Sequence, residues 1–335
     1  MRRAGPFRTL LFGLALLFGL AACAPTLRQA GPPVSAPYLS DDGVIAADGA
    51  QLPMHRWLPK GEPRAVILAL HGFNDYGRFF AEPGTWFAAN GIAAYAYDQR
   101  GFGAAPHPGL WAGTAALDSD LNTATRLLRS RHPGVPVFLL GESMGGAVAM
   151  TAMAGDDPPS ADGVILAAPA VWGRSTMPAL QRGALWLAAH TVPWMTLSGR
   201  GLQRQASDNI DMLRALGRDP LVIKETRVDA IWGLADLMDE ALAAAPRLPG
   251  PALILYGGND QIVPEAPVAQ MLAALPNDGH SGADGRRVIR YANAYHMLLR
   301  DLAAEAVWRD ILAWIETPGR APEGLAGGNA ARSLP

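Results

Sequence analysis

The stretch Val137-Phe138-Leu139-Leu140-Gly141-Glu142-Ser143-Met144-Gly145-Gly146-Ala147 decides how this chain folds. Residues 137–140 are a continuous apolar run, as in a strand covered on both faces. A G-x-S-x-G pentapeptide follows directly, and Ala147–Ala154 reads as a helix that starts near Gly146. A strand that turns this sharply into a helix forces the serine between them into a strained backbone. Glycines two residues to either side remove the Cβ atoms that would collide there. The Ser143 hydroxyl then projects above the sheet, at a helix N-terminus whose free N–H groups and dipole favour negative charge. The pentapeptide alone is common in glycine-rich chains; the strand before it and the helix after it make it specific.

Working outward, the pattern alternates. Val44–Ala47 and Leu52–Leu58 flank an Asp48-Gly49 turn and predict a β-hairpin. Val66–Leu70, Ala93–Tyr97, Val164–Ala167, Leu253–Tyr256 and Val288–Tyr291 predict further strands. Phe79–Asn90, Leu117–Arg131, Pro267–Leu275 and Leu302–Ile315 predict helices. Strands alternating with helices argue for an α/β protein with a mostly parallel central sheet and helices on both faces. Residues 171–226 break the rhythm. They hold no clear buried strand but carry helical stretches at Leu180–Leu187 and Ile210–Leu216, with Trp186, Trp194, Met195 and Met212. An insertion of this length between core strands predicts a helical cap. The core is then expected over 41–170 and 227–316.

The ends differ from the middle. Arg2, Arg3 and Arg8 precede an apolar run, Leu10–Ala22, too short for a membrane span of about 20 residues. Residues 1–22 read as an export signal. Leu20-Ala21-Ala22-Cys23 resembles the lipobox of bacterial lipoproteins, in which the cysteine is lipidated; an ordinary secretory signal cut near Ala24 is the alternative, and the Arg2-Arg3 pair admits twin-arginine export. The expected location is the bacterial cell envelope, with a membrane anchor at Cys23. Residues 23–40, rich in Pro, Ala and Gly, are expected to be a flexible tether. Residues 317–335 are expected to be a frayed tail.

With 335 residues, half of them apolar, the chain can bury a large core. A net charge of −2 gives no electrostatic reason to expect nucleic acid as a partner. A single cysteine rules out an internal disulfide and a cysteine zinc cluster. No metal or organic cofactor is expected.

A serine hydroxyl is a poor nucleophile until a base takes its proton. His296 lies just after the last predicted core strand and just before the last helix, where the base belongs when chain order runs serine, acid, histidine. His55, His132 and His190 lie outside such loops, and His280, in a Gly/Ser-rich loop, is the rival. The imidazole needs a carboxylate on its other nitrogen to set its tautomer. Asp260 follows the strand Leu253–Tyr256 in the expected loop; Asp229, Asp236 and Asp239 are set aside as solvated helical residues. The oxyanion needs donors. Met144, the residue after the serine, offers one N–H. The loop His71-Gly72-Phe73-Asn74 offers another at Phe73, with Gly72 letting the backbone approach substrate. His71 is expected to brace that loop by side-chain hydrogen bonds.

LHGFNDYGRFF, YAYDQRGFGAAP, VFLLGESMGGAVA, ALILYGGNDQIVP and AYHMLLRD, in that order from Arg56 to Trp314, resemble the monoacylglycerol lipase and lysophospholipase branch of the α/β-hydrolases, also called serine aminopeptidase-like hydrolases. The resemblance implies the α/β-hydrolase fold with a cap, a triad of Ser143, Asp260 and His296, and Phe73 and Met144 as oxyanion donors. It implies hydrolysis of a carboxylic ester, a monoacylglycerol or lysophospholipid, through an acyl-enzyme. A short-acyl carboxylesterase, an acyltransferase and a peptidase remain the alternatives. Many relatives carry His before the serine. Here that residue is Glu142, a substrate-side position expected to bear on substrate choice and not on the core mechanism.

Overall fold

The computed structural model describes residues 24–199, 201, 203–276 and 285–318, with the backbone of 330–332. The expected export signal, Cys23 and His280 lie outside the described residues. In chain order the strands are β1 (Tyr38–Leu39), β2 (Gly43–Ile45), β3 (Gln51–Trp57), β4 (Ala65–Leu70), β5 (Ile92–Tyr97), β6 (Val137–Glu142), β7 (Gly163–Ala167), β8 (Thr196–Ser198), β9 (Glu225–Arg227), β10 (Ala252–Gly257), β11 (Arg287–Tyr291) and β12 (Ala330–Arg332). The helices are α1 (Ala81–Ala89), α2 (Thr114–Arg131), α3 (Met144–Met153), α4 (Ala179–Thr191), α5 (Ile210–Arg218), α6 (Val228–Ala244), α7 (Glu265–Ala274) and α8 (Ala304–Glu316).

Among the described residues, ten strands form one sheet in the order β1-β2-β3-β5-β4-β6-β7-β10-β11-β12. The pairs from β5 to β12 are parallel, and β1 to β3 form an antiparallel edge that joins β5 through β3. This is the α/β-hydrolase fold. Parallel neighbours require crossovers, and the helices supply them.

The continuous apolar runs serve two faces at once. In β4, Val66, Leu68 and Leu70 join one core cluster while Ala65, Ile67 and Ala69 join another. The same alternation puts Leu139 and Phe138 of β6 on opposite faces. Helices α2, α3 and α6 close the first face through Leu121, Val148 and Leu237; α1 and α8 close the second through Phe87 and Trp314. With both faces covered, strand residues are apolar without interruption and show no period of two.

Three expectations need correction. Of the tether expected over 23–40, the described residues 24–40 are laid against the core and not free. Leu27 bridges to Trp111, Arg28 N donates to Trp111 O (2.7 Å), Gly31 N to Asp48 Oδ2 (3.0 Å) and Val34 N to Ala47 O (2.7 Å). Acceptors at the hairpin turn and a backbone bridge to Trp111 are enough to dock it. In the stretch expected as a frayed tail, Ala330–Arg332 pair in parallel with β11. The insertion at 171–226 is not purely helical. It holds α4 and α5, and β8 pairs antiparallel with β9 in a small ribbon that ends at Arg227.

Candidate active site

Ser143 sits between β6 and α3 with φ 53° and ψ −115°, a conformation that side chains rarely adopt and that costs about 1–3 kcal/mol. The surroundings hold it there. Its N–H donates to Ala167 O (3.0 Å), and its carbonyl accepts from Ala147 N (3.1 Å) and Ala170 N (2.9 Å). A Cβ on Gly141 would stand 2.3 Å from Gly145 O, and one on Gly145 would stand 2.3 Å from Leu70 O. Only glycine fits at either position. The helix begins at Met144, earlier than the expected Gly146, so the first free helical N–H groups follow the serine directly.

The loop after β4 passes over the serine. A Cβ on Gly72 would lie 3.4 Å from Ser143 Cβ and 4.0 Å from its Oγ. His71 anchors this loop. Its Nδ1 lies 2.8 Å from Gly72 O, and its Nε2 accepts from Gln99 N at 3.0 Å. One nitrogen therefore donates and the other accepts, so the ring is neutral, and burial lowers its pKa. Asn74, at φ 67°, ties the loop onward through Nδ2 to Thr226 Oγ1 (2.6 Å), and its carbonyl accepts from Ile223 N (2.9 Å).

His296 lies in the loop between β11 and α8, and Asp260 in the loop after β10. His296 Nδ1 is 2.7 Å from Asp260 Oδ2. Asp260 Oδ1 accepts from Ile262 N (2.7 Å) and Val263 N (2.9 Å). The two loops are held together by Gly258 N to Tyr291 O (2.8 Å) and Asn259 N to Ala294 O (2.9 Å). The rival side chains are engaged elsewhere. Tyr95 Oη contacts His132, Trp186 O contacts His190, and His55 lies 4.0 Å from Asp98. Asp229, Asp236 and Asp239 are not simply solvated, as the sequence suggested. Asp229 is buried and paired with Arg227, and the other two grip Arg174.

Two features were not read from the sequence. Arg300, buried four residues after His296, has Nη2 2.8 Å from Asp75 Oδ2 and 2.9 Å from Glu142 Oε2. A strap at 204–209 also joins the insertion to both the acid and base loops. Arg204 Nη1 donates to Gln261 O (2.7 Å), Met297 N to Ala206 O (2.9 Å) and Ser207 Oγ to Asp301 Oδ1 (2.6 Å). Neither arrangement has a local pattern: an arginine at that spacing reads as a surface residue until the fold closes over it. Among the described residues, no group of three or more His, Cys, Asp or Glu side chains could hold a metal ion.

A strained serine at the end of a parallel strand, beneath a glycine loop, in a fold whose loops after β10 and β11 also hold a histidine–aspartate pair, defines a serine hydrolase of the α/β-hydrolase class. The serine aminopeptidase, S33 family matches residues 61–303, and the chain belongs to that family. It is a serine ester hydrolase. Among curated relatives it is similar to the monoglyceride lipase of Mus musculus, 27% identical over 298 residues and covering 84% of this chain and 92% of that protein. It is also similar to the monoacylglycerol lipase of Mycolicibacterium smegmatis, 24% identical over 82% of this chain and 96% of that one. Among solved structures, the monoacylglycerol lipase of Paleococcus ferrophilus aligns with TM-score 0.62 and 22% identity, covering 79% of this chain and 98% of that one. A soluble variant of the Saccharomyces cerevisiae monoglyceride lipase, in complex with a substrate analog, aligns with TM-score 0.67 and 20% identity over 89% and 99%. At these identities the structures speak for the fold.

Proposed function

We propose that the chain cleaves monoacylglycerols or lysophospholipids by a two-step acyl transfer to Ser143. The observation that carries this reading is the His296–Asp260 pair at 2.7 Å, with Asp260 locked from its other side by two amides. An Nδ1–H directed at the carboxylate leaves Nε2 with its lone pair, as a base for Ser143. The serine oxygen attacks the ester carbonyl as His296 takes its proton. The N–H groups of Phe73 and Met144 stabilise the oxyanion. His296 returns the proton to the leaving alcohol. Water, deprotonated by the same histidine, then releases the acid and restores the serine.

The lipid part of the proposal draws on the names of the relatives and on the insertion, which exposes Leu180 (85%), Leu187 (57%), Trp194 (56%) and Trp186 (54%). Such a surface suits an enzyme working beside acyl chains. A lipid anchor at Cys23, facing the periplasm or in the outer membrane, would hold it there. No described helix is long and apolar enough to cross a membrane.

The test compares the full chain with Ser143→Ala on p-nitrophenyl esters of rising acyl length, a 1-monoacylglycerol and a lysophospholipid. Activity that peaks at longer chains and disappears in the variant supports the proposal. Activity confined to acetate and butyrate makes the chain a short-acyl esterase. Full activity in Ser143→Ala removes the serine mechanism. Incorporation of labelled palmitate into the wild type and not into Cys23→Ser tests the anchor.

A further inference from the structure

Helix α5 (Ile210–Arg218) is held at its two ends, and each end reaches a different loop of the candidate site. Among its nine described residues none is buried, so core packing does not fix it. At 1.5 Å of rise per residue it is a rod about 13 Å long.

The N-terminal end is fastened to the base loop. The cap residue Asn209 accepts from Met212 N with Oδ1 (3.1 Å) and donates with Nδ2 to Arg300 O (3.1 Å). The residues just before it hold the backbone on both sides of His296. Ala206 O accepts from Met297 N (2.9 Å). Ser207 Oγ donates to Asp301 Oδ1 (2.6 Å), and Asp301 Oδ2 accepts from Tyr295 N (2.8 Å). Ser207 is fully buried, and its Oγ also accepts from Asn209 N (3.1 Å), which carries the tie into the helix.

The C-terminal end is fastened to the loop after β4. The cap residue Asp219 accepts from Leu221 N with Oδ1 (2.9 Å) and from Tyr76 Oη with Oδ2 (2.7 Å). Tyr76 is buried, three residues beyond Phe73. The chain leaving the helix then holds Asn74, the residue after Phe73. Ile223 N donates to Asn74 O (2.9 Å), and Thr226 Oγ1 accepts from Asn74 Nδ2 (2.6 Å).

We propose that α5 is a strut that sets the separation of His296 from the oxyanion loop, with Ser207 and Asn209 at one end and Tyr76 and Asp219 at the other as positioning residues. They act through the backbone of Tyr295, Met297 and Asn74. Acyl transfer needs its base and its oxyanion donor placed together, and an error of about 1 Å can cost about 100-fold in rate. A rod bonded to both loops supplies that placement only while both ends are fastened. Contacts that lie a helix apart and share no partner must therefore depend on each other.

This inference rests on the roles proposed for Ser143, His296 and Phe73, so the test uses a reagent that needs no acyl site. In diisopropyl fluorophosphate the Ser143 oxygen bonds to phosphorus as fluoride leaves, and His296 takes the serine proton. The second-order labelling rate is measured on the full chain, Ser207→Ala, Tyr76→Phe, their double variant and Ala215→Pro, each at a temperature where its melting curve shows it folded. Ser207→Ala and Tyr76→Phe each delete one hydroxyl, and each should slow labelling by about tenfold. Distant, independent contacts would multiply to about 100-fold. A strut already loose at one end has little left to lose at the other, so the double variant should stay near tenfold. Ala215→Pro breaks the helix in its middle, at an exposed position, and should cost about as much as either end. If Ser207→Ala does not fold, Asn209→Ser takes its place with the same expectation, because it keeps a capping oxygen and loses the amide that bonds Arg300 O. Losses that multiply, a wild-type rate in Ala215→Pro, or end variants that melt lower yet label at the wild-type rate overturn the inference and leave the serine mechanism intact. Labelling that persists in Ser143→Ala, or fails in the wild type, removes the serine mechanism and the inference with it.

Discussion

His296 Nδ1 meets Asp260 Oδ2 at 2.7 Å, and the Asp260 side chain has no exposed surface. Its second oxygen is held by the amides of Ile262 and Val263. Every acceptor direction toward the loop is therefore filled, and the imidazole has one stable partner and one tautomer. Asp260→Asn keeps the shape but can present an amide N–H where an acceptor is required. The ring then favours the tautomer with its lone pair on Nδ1, and Nε2 stops serving as a base. We expect kcat on a p-nitrophenyl ester to fall by about 10³–10⁴ with a small change in melting temperature. A loss below tenfold would mean that this pair does not govern the chemistry.

The pair depends on how closely its two loops approach. A Cβ on Gly257 would stand 2.3 Å from Tyr295 O and 2.6 Å from Ala294 O, in the backbone just before His296. No side-chain rotation relieves a clash with backbone. Gly257→Ala should push the acid and base loops apart. The expected result is at least 100-fold lower kcat/KM, with about 2–4 kcal/mol lost in urea unfolding. Wild-type kcat/KM in this variant would show that the loop separation tolerates the shift.

The sequence made the strand–serine–helix turn and the loops that carry Asp260 and His296 legible because each is local: a run, a pentapeptide, a loop after a strand. The core strands were legible because burial on both faces leaves an uninterrupted apolar run. What was not legible is long-range and polar. Arg300 touches Glu142 across 158 positions, and Ser207 touches Asp301 across 94. Nothing in the neighbouring residues of either marks the pairing. The docking of 24–37 was missed for the opposite reason. Its Pro-, Ala- and Gly-rich composition reads as a linker, yet a few backbone bonds to the hairpin turn at Ala47–Asp48 and one contact between Leu27 and Trp111 suffice to place it.

The strap offers a direct test of how the insertion supports the base. Ser207 Oγ donates to Asp301 Oδ1 at 2.6 Å, and Asp301 Oδ2 accepts from Tyr295 N at 2.8 Å, one residue before His296. Burial pushes the Asp301 carboxyl up to about 6, and these two donors hold it down. Ser207→Ala removes one donor from a buried carboxylate, so the anion suffers more than the acid. Destabilisation of about 1–3 kcal/mol is expected at pH 8, where Asp301 is ionised, and a smaller loss at pH 5, where it is largely protonated. A penalty equal at both pH values would separate this contact from the Asp301 charge.

Asp118 supplies a pH dependence remote from the site. It lies on α2 and accepts from Thr151 Oγ1 of α3 at 2.8 Å. Burial pushes its carboxyl up to about 7, with Thr151 pulling down and Glu240 of α6 pushing up. In the unfolded chain the same group titrates near 3.8. Between those values the folded protein holds a proton that the unfolded chain has lost, so raising the pH from about 4 to about 7 withdraws stability. Below about 4 both states are protonated and the group is neutral to the balance. A shift of this size corresponds to at most about 4 kcal/mol, and partial solvation reduces that to about 2 kcal/mol. Asp118→Asn keeps an acceptor for Thr151 and removes the charge. In urea unfolding it should be more stable than the wild type by about 2 kcal/mol at pH 8, by less at pH 6, and by nothing measurable at pH 4. An advantage that persists undiminished at pH 4 would assign the gain to packing and not to the buried charge.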